Sequence, residues 1–356
     1  MKDIHGGNIW EAADNAATLP EEFIDFSASI NPLASRKVVA AIKGGIRQIP
    51  AYPDPTSKAL RRNLAAFHGL TPDSILPGNG STEFIHLLPQ IFKPSKALIV
   101  APAFSEYAAG LCKTGCKTSY LTLRQDEGFS INLARLDARL KNGFDILYLA
   151  NPSNPTGALT PRDAVLEAAN ICRKAGALFV VDEAFVDFCE PESVKAEAAA
   201  ARHIIVLRSM TKFWAMAGLR SGYVVTNAGF IKKIATHLPP WTVNTLASLA
   251  TEAGLTDIRH RQHTLAWLKR EGPFLYNGLN AIAGLKPVPS SANYFMVEIT
   301  AASHTASSLK AALYNDGILI RDLSAMTGLN KRFFRVAVKT RKENMTLIAA
   351  LKKAFA

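Results

Sequence analysis

The sequence predicts an α/β fold, with a large domain built on a mostly parallel sheet flanked by helices and a smaller α+β domain. Strand and helix patterns alternate from Ile75 to Val225. Strands in this region, such as Ile146–Leu149 and Leu178–Val181, are apolar on both faces. Such strands are typical of a sheet that helices cover on both sides, and the alternation favours parallel strands joined by helices.

The C-terminal part of the chain has a different pattern. Helical patterns dominate from Ile231 to Ala281, and strand patterns then return at Tyr294–Ile299, Ile318–Arg321 and Phe334–Val338. That order indicates a second, smaller α+β domain. We therefore expect an N-terminal segment that joins the small domain, a large domain and a small C-terminal domain, at residues 1–45, 46–260 and 261–356.

The composition and the ends of the chain exclude several classes of protein. The chain has 356 residues, of which 48% are hydrophobic, enough for one large domain or two packed domains. The N-terminus lacks the apolar region of a signal peptide, and no apolar run reaches the roughly 20 residues that span a bilayer. We expect a cytoplasmic protein without a membrane partner.

The net charge of +12 would suit nucleic-acid binding, but the basic residues are scattered and form no block of roughly five or six like charges. Anionic ligands explain the charge better, so we expect no nucleic-acid partner. The four cysteines, Cys112, Cys116, Cys172 and Cys189, show no second Cys/His pair at zinc-site spacing. We expect thiols in a reducing compartment and no metal site.

The stretch Val206–Arg220 combines a candidate nucleophile with candidate phosphate ligands. Ser209 and Thr211 end an apolar strand, and Lys212 follows among apolar and aromatic residues. A lysine in such surroundings loses hydration, so its ammonium form is disfavoured and its free amine becomes a nucleophile. The hydroxyl groups and Arg220 suit a phosphate. A surface lysine after a strand is the alternative, and this stretch alone does not decide between them.

Polar groups at three other places suit the same site. Gly80, Ser81 and Thr82 begin a predicted helix, whose unpaired N–H groups and dipole attract anions, although such turns are common. Asn151–Gly157 follows a buried strand, at the edge where α/β sheets bind ligands, or is simply a turn rich in Asn and Pro. Asp182 ends another apolar strand, where burial requires a partner, and a helix cap is the alternative.

Further ligand-binding groups are expected near the two ends of the chain. Arg321 and Arg335 lie in or next to apolar strands, and buried arginines need anions. A substrate anion is one candidate, and an internal salt bridge is the other, especially for Arg321. Near the N-terminus, His5–Asn8 contains two glycines that let backbone N–H groups approach a ligand closely, and Asp25–Pro32 is a short strand leading into a loop.

Four motifs, in this order, resemble those of the fold-type I pyridoxal phosphate (PLP) enzymes, most of all the histidinol-phosphate aminotransferase group. They are Asn-Pro-Ser-Asn-Pro-Thr-Gly (151–157), Asp-Glu-Ala-Phe (182–185), Ser-Met-Thr-Lys followed by Gly-Leu-Arg (209–220), and Phe-Arg-Val-Ala (334–337). The resemblance covers nearly the whole chain, and the ordered set is specific although each motif alone is not. It implies the PLP fold-type I architecture and PLP as cofactor.

The resemblance also implies roles for individual residues. Lys212 matches the lysine that forms a Schiff base with PLP, and Asp182 matches the partner of the pyridine nitrogen. Asn154 matches the donor to the ring oxygen O3′, Phe104 the aromatic residue that stacks on the ring, and Arg335 the arginine that binds a substrate anion. The phosphate ligands are matched by Ser81, Thr82, Ser209, Thr211 and Arg220. Tyr52 matches the tyrosine that reaches the cofactor phosphate of the neighbouring subunit, which implies a homodimer with shared active sites.

Several features differ from the aminotransferase pattern. Phe185 replaces a tyrosine, so one hydroxyl donor to O3′ is missing, and Phe104 replaces a tyrosine at the stacking position. The His5–Asn8 and Asp25–Pro32 segments are additions. Together with Pro240–Asn244, these features resemble the L-threonine-O-3-phosphate decarboxylases of cobalamin biosynthesis. The resemblance implies a PLP-dependent carboxy-lyase that converts L-threonine O-3-phosphate to (R)-1-amino-2-propanol O-2-phosphate.

For that reaction the substrate must be held so that only the bond from Cα to the carboxylate is aligned for cleavage. We expect Arg335, with Arg321, to bind the carboxylate. The phosphate is expected to be bound, and the site covered, by His5, Gly6, Gly7, Asn8 and Asn31. The sequence does not separate phosphothreonine from phosphoserine.

Two other functions share features with this sequence. A histidinol-phosphate aminotransferase, or another PLP-dependent aminotransferase, is the alternative, because it shares every cofactor residue. A DNA-binding regulator with a PLP fold is disfavoured, because such regulators carry a winged-helix domain before a fold that here begins almost at Met1.

Overall fold

The computed structural model describes residues 6–356. In this part of the chain, helices α1 to α13 span Ile9–Ala16, Arg36–Gly45, Lys58–His68, Ser81–Phe92, Glu106–Cys112, Leu133–Leu140, Arg162–Lys174, Lys195–Ala200, Ala228–Ala235, Thr245–Leu255, Ile258–Asn280, Ala306–Asn315 and Arg341–Phe355. Strands β1 to β13 span Ile24–Asp25, Ile75–Gly78, Lys96–Ala101, Lys117–Thr122, Ile146–Ala150, Leu178–Asp182, Ile204–Ser209, Gly222–Val225, Leu285–Pro287, Tyr294–Ile299, Ile318–Leu319, Arg321–Asp322 and Phe333–Ala337.

The large sheet has seven strands in the order β2-β8-β7-β6-β5-β3-β4. Strand β8 runs antiparallel to both of its neighbours, and the other neighbouring pairs are parallel. This arrangement confirms the predicted fold class. Because β5, β6 and β7 are parallel, their carboxyl ends meet at one edge of the sheet, where Ala150 lies opposite Asp182 and Asp182 opposite Leu207.

Alternate residues of the central strands pack against different helix layers. On one face of β6, Val180 belongs to a core formed with α4, α5 and α9. On the other face, Val181 belongs to a core formed with α3, α7 and α10. Since side chains alternate along a strand, Asp182 faces the first layer, whereas Glu183 and Arg208 face the second.

The second sheet is antiparallel, in the order β12-β13-β10-β9, and its core includes residues of α11, α12 and α13. Strand β1 pairs in parallel with β11, so this part of the N-terminal segment lies with the small domain. Helix α2 does not, because Val38 on its apolar face packs into the core of the large sheet. The predicted segment 1–45 is therefore divided between the two cores. The predicted boundary at residue 260 falls inside the continuous helix α11.

No helix in residues 6–356 is long and apolar enough to cross a membrane. All four cysteines are free thiols. In the same described part of the chain, no three His, Cys, Asp or Glu side chains are grouped so that they could hold a metal ion.

A buried ion cluster joins the ends of β6 and β7 on the second face of the sheet. Arg208 is fully buried, and its guanidinium donates hydrogen bonds to Glu190 at 2.6 Å, Asp187 at 3.0 Å and Glu183 at 3.3 Å. Burial raises the pKa of Glu183 and of Asp187, and the guanidinium charge opposes that rise. The two carboxylates therefore depend on Arg208 to stay ionised.

Replacing Arg208 with alanine is expected to lower the free energy of unfolding by about 3–5 kcal/mol at neutral pH, because buried carboxylates lose their cation. The deficit should shrink as the pH falls, since Glu183 and Asp187 of the variant then bind protons while the unfolded chain is still ionised. Urea unfolding at several pH values measures both effects. Arg202→Ala, at an exposed position before β7, is the control, and an equal loss in both variants would contradict the prediction.

Candidate active site

A cavity of about 240 Å³ lies where the carboxyl ends of β5, β6 and β7 meet the N-terminus of α4 and strands β12 and β13. It is lined by residues from both ends and from the middle of the chain. The predicted site residues among them are Gly6, Ser81, Thr82, Phe104, Asn154, Asp182, Ser209, Thr211, Lys212, Arg220, Arg321 and Arg335.

Lys212 lies in the turn that follows β7 and lines the cavity. Its backbone carbonyl accepts a hydrogen bond from Asn31 N at 3.1 Å, and its Nζ lies 5.8 Å from the centre of the Phe185 ring. Burial, together with the positive charges of Arg335 and Arg220, lowers the pKa of Lys212 to about 8. An amine with this pKa is an effective nucleophile close to neutral pH.

Asp182 is buried at the end of β6 and also lines the cavity. Its Oδ2 accepts a hydrogen bond from the Tyr107 hydroxyl at 2.6 Å, and its Oδ1 accepts one from Ala184 N at 3.0 Å. Burial raises the pKa of Asp182, while the two donors and the charge of Lys212 act in the opposite direction. A buried carboxylate at the wall of a cavity needs a cationic partner inside it.

The N-terminus of α4 forms an anion seat with Arg220. A Cβ at Gly80, whose φ is +83°, would lie 2.8 Å from Arg220 Nη2, and a Cβ at Gly222 would lie 2.4 Å from Ser81 N. The two glycines therefore allow the guanidinium and the start of the helix to approach each other, where free N–H groups and the helix dipole attract anions. Hydroxyl groups that line the cavity come from Ser81, Thr82, Ser209 and Thr211.

Arg335 is a buried cation without a carboxylate partner among residues 6–356. Its Nη1 donates to Asn154 Oδ1, its Nη2 donates to Ser27 O at 2.9 Å, and its Nε is buried without a partner. Burial lowers the pKa of Arg335 to about 10, and the nearby charge of Arg321 acts in the same direction.

Arg321 lies directly opposite Arg335 in the pairing of β12 with β13, and both line the cavity. Like charges directly opposite each other on neighbouring strands are destabilising. Both guanidinium groups can bind an anionic group in the cavity, which makes the pair a candidate for substrate binding.

These groups fit pyridoxal phosphate. The buried carboxylate of Asp182 suits a protonated pyridine nitrogen, the amine of Lys212 suits the aldehyde carbon, and the start of α4 with Arg220 suits the phosphate. Since Oδ1 of Asn154 already accepts a hydrogen bond, its Nδ2 remains to donate to the ring oxygen.

Tyr52 does not line the cavity of its own chain. Its side chain is 80% exposed and stacks on Trp241, with 4.6 Å between ring centres. Its role as a ligand of a partner's cofactor stays a prediction.

The structure corrects the expectation for Asn31. This residue is buried, and its Nδ2 donates to Phe213 O and to Thr264 Oγ1, both at 2.8 Å. Both donors of the amide are thus used within the protein. Asn31 fixes the chain that follows Lys212, and its amide is not available to a substrate phosphate.

The glycine-rich N-terminal segment reaches the site only in part. Gly6 lines the cavity, whereas Gly7 and Asn8 line a smaller cavity beside it. Gly7 N donates to Ser27 Oγ at 2.8 Å, and Asn8 caps α1 through its side-chain oxygen. His5 lies outside the described residues.

Tyr107 lines the cavity but is absent from the predicted site residues. Its place in the apolar pattern of α5 is typical of a core residue. The carboxylate that its hydroxyl contacts is 75 residues away in the chain, so no local signal in the sequence could have revealed the contact.

Comparisons with known proteins agree with this geometry. The model of the family "Aminotransferase class I and II" matches residues 21–351. The chain is 37% identical to a threonine-phosphate decarboxylase of Salmonella typhimurium, over 100% of this chain and 97% of the relative. It is 30% identical to the adenosylcobalamin biosynthesis bifunctional protein CobDQ of Leptospira interrogans, over 99% of this chain and 41% of that protein.

Among solved structures, L-threonine-O-3-phosphate decarboxylase from Porphyromonas gingivalis matches with a TM-score of 0.80 and 25% identity, covering 92% of this chain and 98% of that one. Histidinol-phosphate aminotransferases also match, both as sequences and as solved structures. The chain belongs to the aminotransferase class I and II family.

Proposed function

We propose that this protein is a PLP-dependent carboxy-lyase that converts L-threonine O-3-phosphate to (R)-1-amino-2-propanol O-2-phosphate in cobalamin biosynthesis. Similarity to threonine-phosphate decarboxylases over the whole chain supports the reaction, and the fit of the cavity to PLP supports the cofactor. Lys212 is the residue that binds PLP covalently, and Asp182 is the partner of its pyridine nitrogen.

The observation that carries the proposal is the pair Arg321 and Arg335. Two guanidinium groups opposite each other at one cavity suit a substrate that carries anionic groups. L-Threonine O-3-phosphate carries a carboxylate and a phosphate. Histidinol phosphate, the amino donor of the alternative enzyme, carries a phosphate but no carboxylate.

Different side chains of the cavity bind the substrate and transfer the proton. Arg335 and Arg321 hold the two anionic groups of the substrate, so that the bond from Cα to the carboxylate is the one aligned for cleavage. The chemistry that bound PLP supplies is an electron sink for the pair that stays on Cα when CO₂ leaves. Lys212 Nζ then gives a proton to Cα, which a group with a pKa of about 8 can do near neutral pH.

The proposal includes a homodimer in the cytoplasm. Ile49, Tyr52 and Trp241 are exposed apolar side chains that line one open groove. A contiguous apolar surface of this kind is typical of a protein contact. In a dimer of the resembled family, Tyr52 would reach the cofactor phosphate of the neighbouring subunit. The free thiols suit a reducing compartment.

The reaction is tested by incubating the protein and PLP with L-threonine O-3-phosphate in the absence of any amino acceptor. Stoichiometric release of CO₂ and formation of aminopropanol phosphate are expected. Turnover of histidinol phosphate that requires 2-oxoglutarate, without CO₂ release from phosphothreonine, would instead establish the aminotransferase.

Arg335→Ala is expected to lower kcat/KM for L-threonine O-3-phosphate by roughly tenfold to a hundredfold, because charge-assisted hydrogen bonds to the substrate are lost. Steady-state kinetics of CO₂ release measure the effect. Lys331→Ala, at an exposed position just before β13, is the matched control and should retain wild-type kinetics. Equal kinetics in the two variants would contradict the assignment of Arg335.

The rate at which the Lys212 amine is acetylated should increase with pH, along a titration curve centred near pH 8. The reason is that the pKa of Lys212 is lowered to about 8 and only the neutral amine is nucleophilic. Trace acetylation of the apoprotein at different pH values, followed by peptide mass spectrometry, measures this titration, with exposed Lys174 as internal reference. In Arg335→Ala the midpoint should rise, because a nearby positive charge is gone. A midpoint above pH 10 in the wild type would refute the assigned environment of Lys212.

A further inference from the structure

Tyr107 contacts Asp182 from within the helix layer that covers the sheet. Its side chain is 1% exposed, and its hydroxyl donates to Asp182 Oδ2 at 2.6 Å. The other donor to the carboxylate is the backbone N–H of Ala184. In the described part of the chain, Tyr107 is thus the side chain whose hydrogen bond holds the carboxylate.

The ring of Tyr107 is itself fixed by aromatic packing. It stacks on Tyr148 of β5, with 5.2 Å between ring centres and 22° between ring planes. Phe104 packs against it edge-on, with 5.9 Å between ring centres. A ring held on two sides keeps its hydroxyl in one place, so the direction of the hydrogen bond to Asp182 is also fixed.

Burial of a carboxylate favours its protonated form, and a hydrogen bond donated to the ionised form opposes this. Only the ionised form of Asp182 can pair with a protonated pyridine nitrogen. Lys212, the charged group that faces Asp182 from the turn after β7, can lose its own charge near neutral pH. The Tyr107 hydroxyl stays protonated and remains a hydrogen-bond donor, because burial and the neighbouring Asp182 raise its pKa well above the ordinary value.

We propose that Tyr107 is a positioning residue for the cofactor: its hydroxyl keeps Asp182 ionised and turned toward the pyridine nitrogen of PLP. This inference rests on the assignment of Asp182 as the partner of that nitrogen. It goes beyond the assignment in naming the group that maintains the carboxylate in the form it needs.

The test compares wild-type and Tyr107→Phe holoenzymes loaded with PLP that is ¹⁵N-labelled in the ring, without substrate. Removing the hydroxyl should raise the proton affinity of Asp182, so the pyridine ¹⁵N resonance should move toward the value of an unprotonated ring. The dissociation constant of PLP, measured by reconstitution of the apoprotein, should rise roughly tenfold to a hundredfold.

Tyr148→Phe is the matched control. The Tyr148 hydroxyl is buried in the same stack but has no hydrogen-bond partner among residues 6–356, so its removal should leave both readouts at the wild-type values. In an Asp182→Asn background, Tyr107→Phe should produce no further shift of the ¹⁵N resonance, because its effect passes through the carboxylate.

Unchanged ¹⁵N resonance and PLP affinity in Tyr107→Phe would overturn the inference, and so would equal changes in Tyr107→Phe and Tyr148→Phe. Both readouts are independent of the substrate. A protein that shows the expected ¹⁵N shift but releases no CO₂ from phosphothreonine would therefore refute the proposed reaction and leave the role of Tyr107 intact.

Discussion

A buried ion cluster around Arg208 connects the ends of β6 and β7, the two strands that lead into Asp182 and Lys212. Glu183 follows Asp182 in the chain, and Arg208 precedes Ser209, so these two cluster residues are each adjacent to a cavity residue. Side chains alternate along a strand, which places the ion pair on one face and the cavity residues on the other. Buried ion pairs add little net stability compared with apolar packing. The cluster links the two strand ends on the face opposite the cavity.

Arg335 links three distant segments around the cavity. Its guanidinium contacts Asn154 after β5 and the carbonyl of Ser27, and Ser27 in turn accepts a hydrogen bond from Gly7 near the N-terminus. The large domain, the small domain and the N-terminal segment therefore meet at one arginine. The cofactor groups lie at the edge of one sheet, whereas the groups proposed to select the substrate depend on contacts between separate parts of the chain.

The cofactor groups follow single strands, whereas other groups of the site depend on contacts between distant parts of the chain. This difference explains how much of the site could be predicted from the sequence. Lys212 and Asp182 lie at or just after the ends of strands with strong apolar patterns, within ordered motifs of the resembled family, and these motifs locate them. Tyr107 looks like a core residue of a short helix, since its function depends on a carboxylate far away in the chain. The sequence predicts Asn31 as a ligand of the substrate phosphate, but its amide bonds within the protein. Long-range hydrogen bonds, invisible in a single sequence, decide both cases.

The surplus of cations in the cavity has a consequence for the protein before PLP binds. Lys212, Arg220 and Arg335 line one cavity that also contains Asp182. In the apoprotein these like charges repel each other in surroundings of low dielectric constant. Any small dianion, including inorganic phosphate, would relieve that repulsion and compete with the cofactor and the substrate for their binding sites. Phosphate in the buffer would thus stabilise the apoprotein against unfolding and also inhibit the binding of PLP.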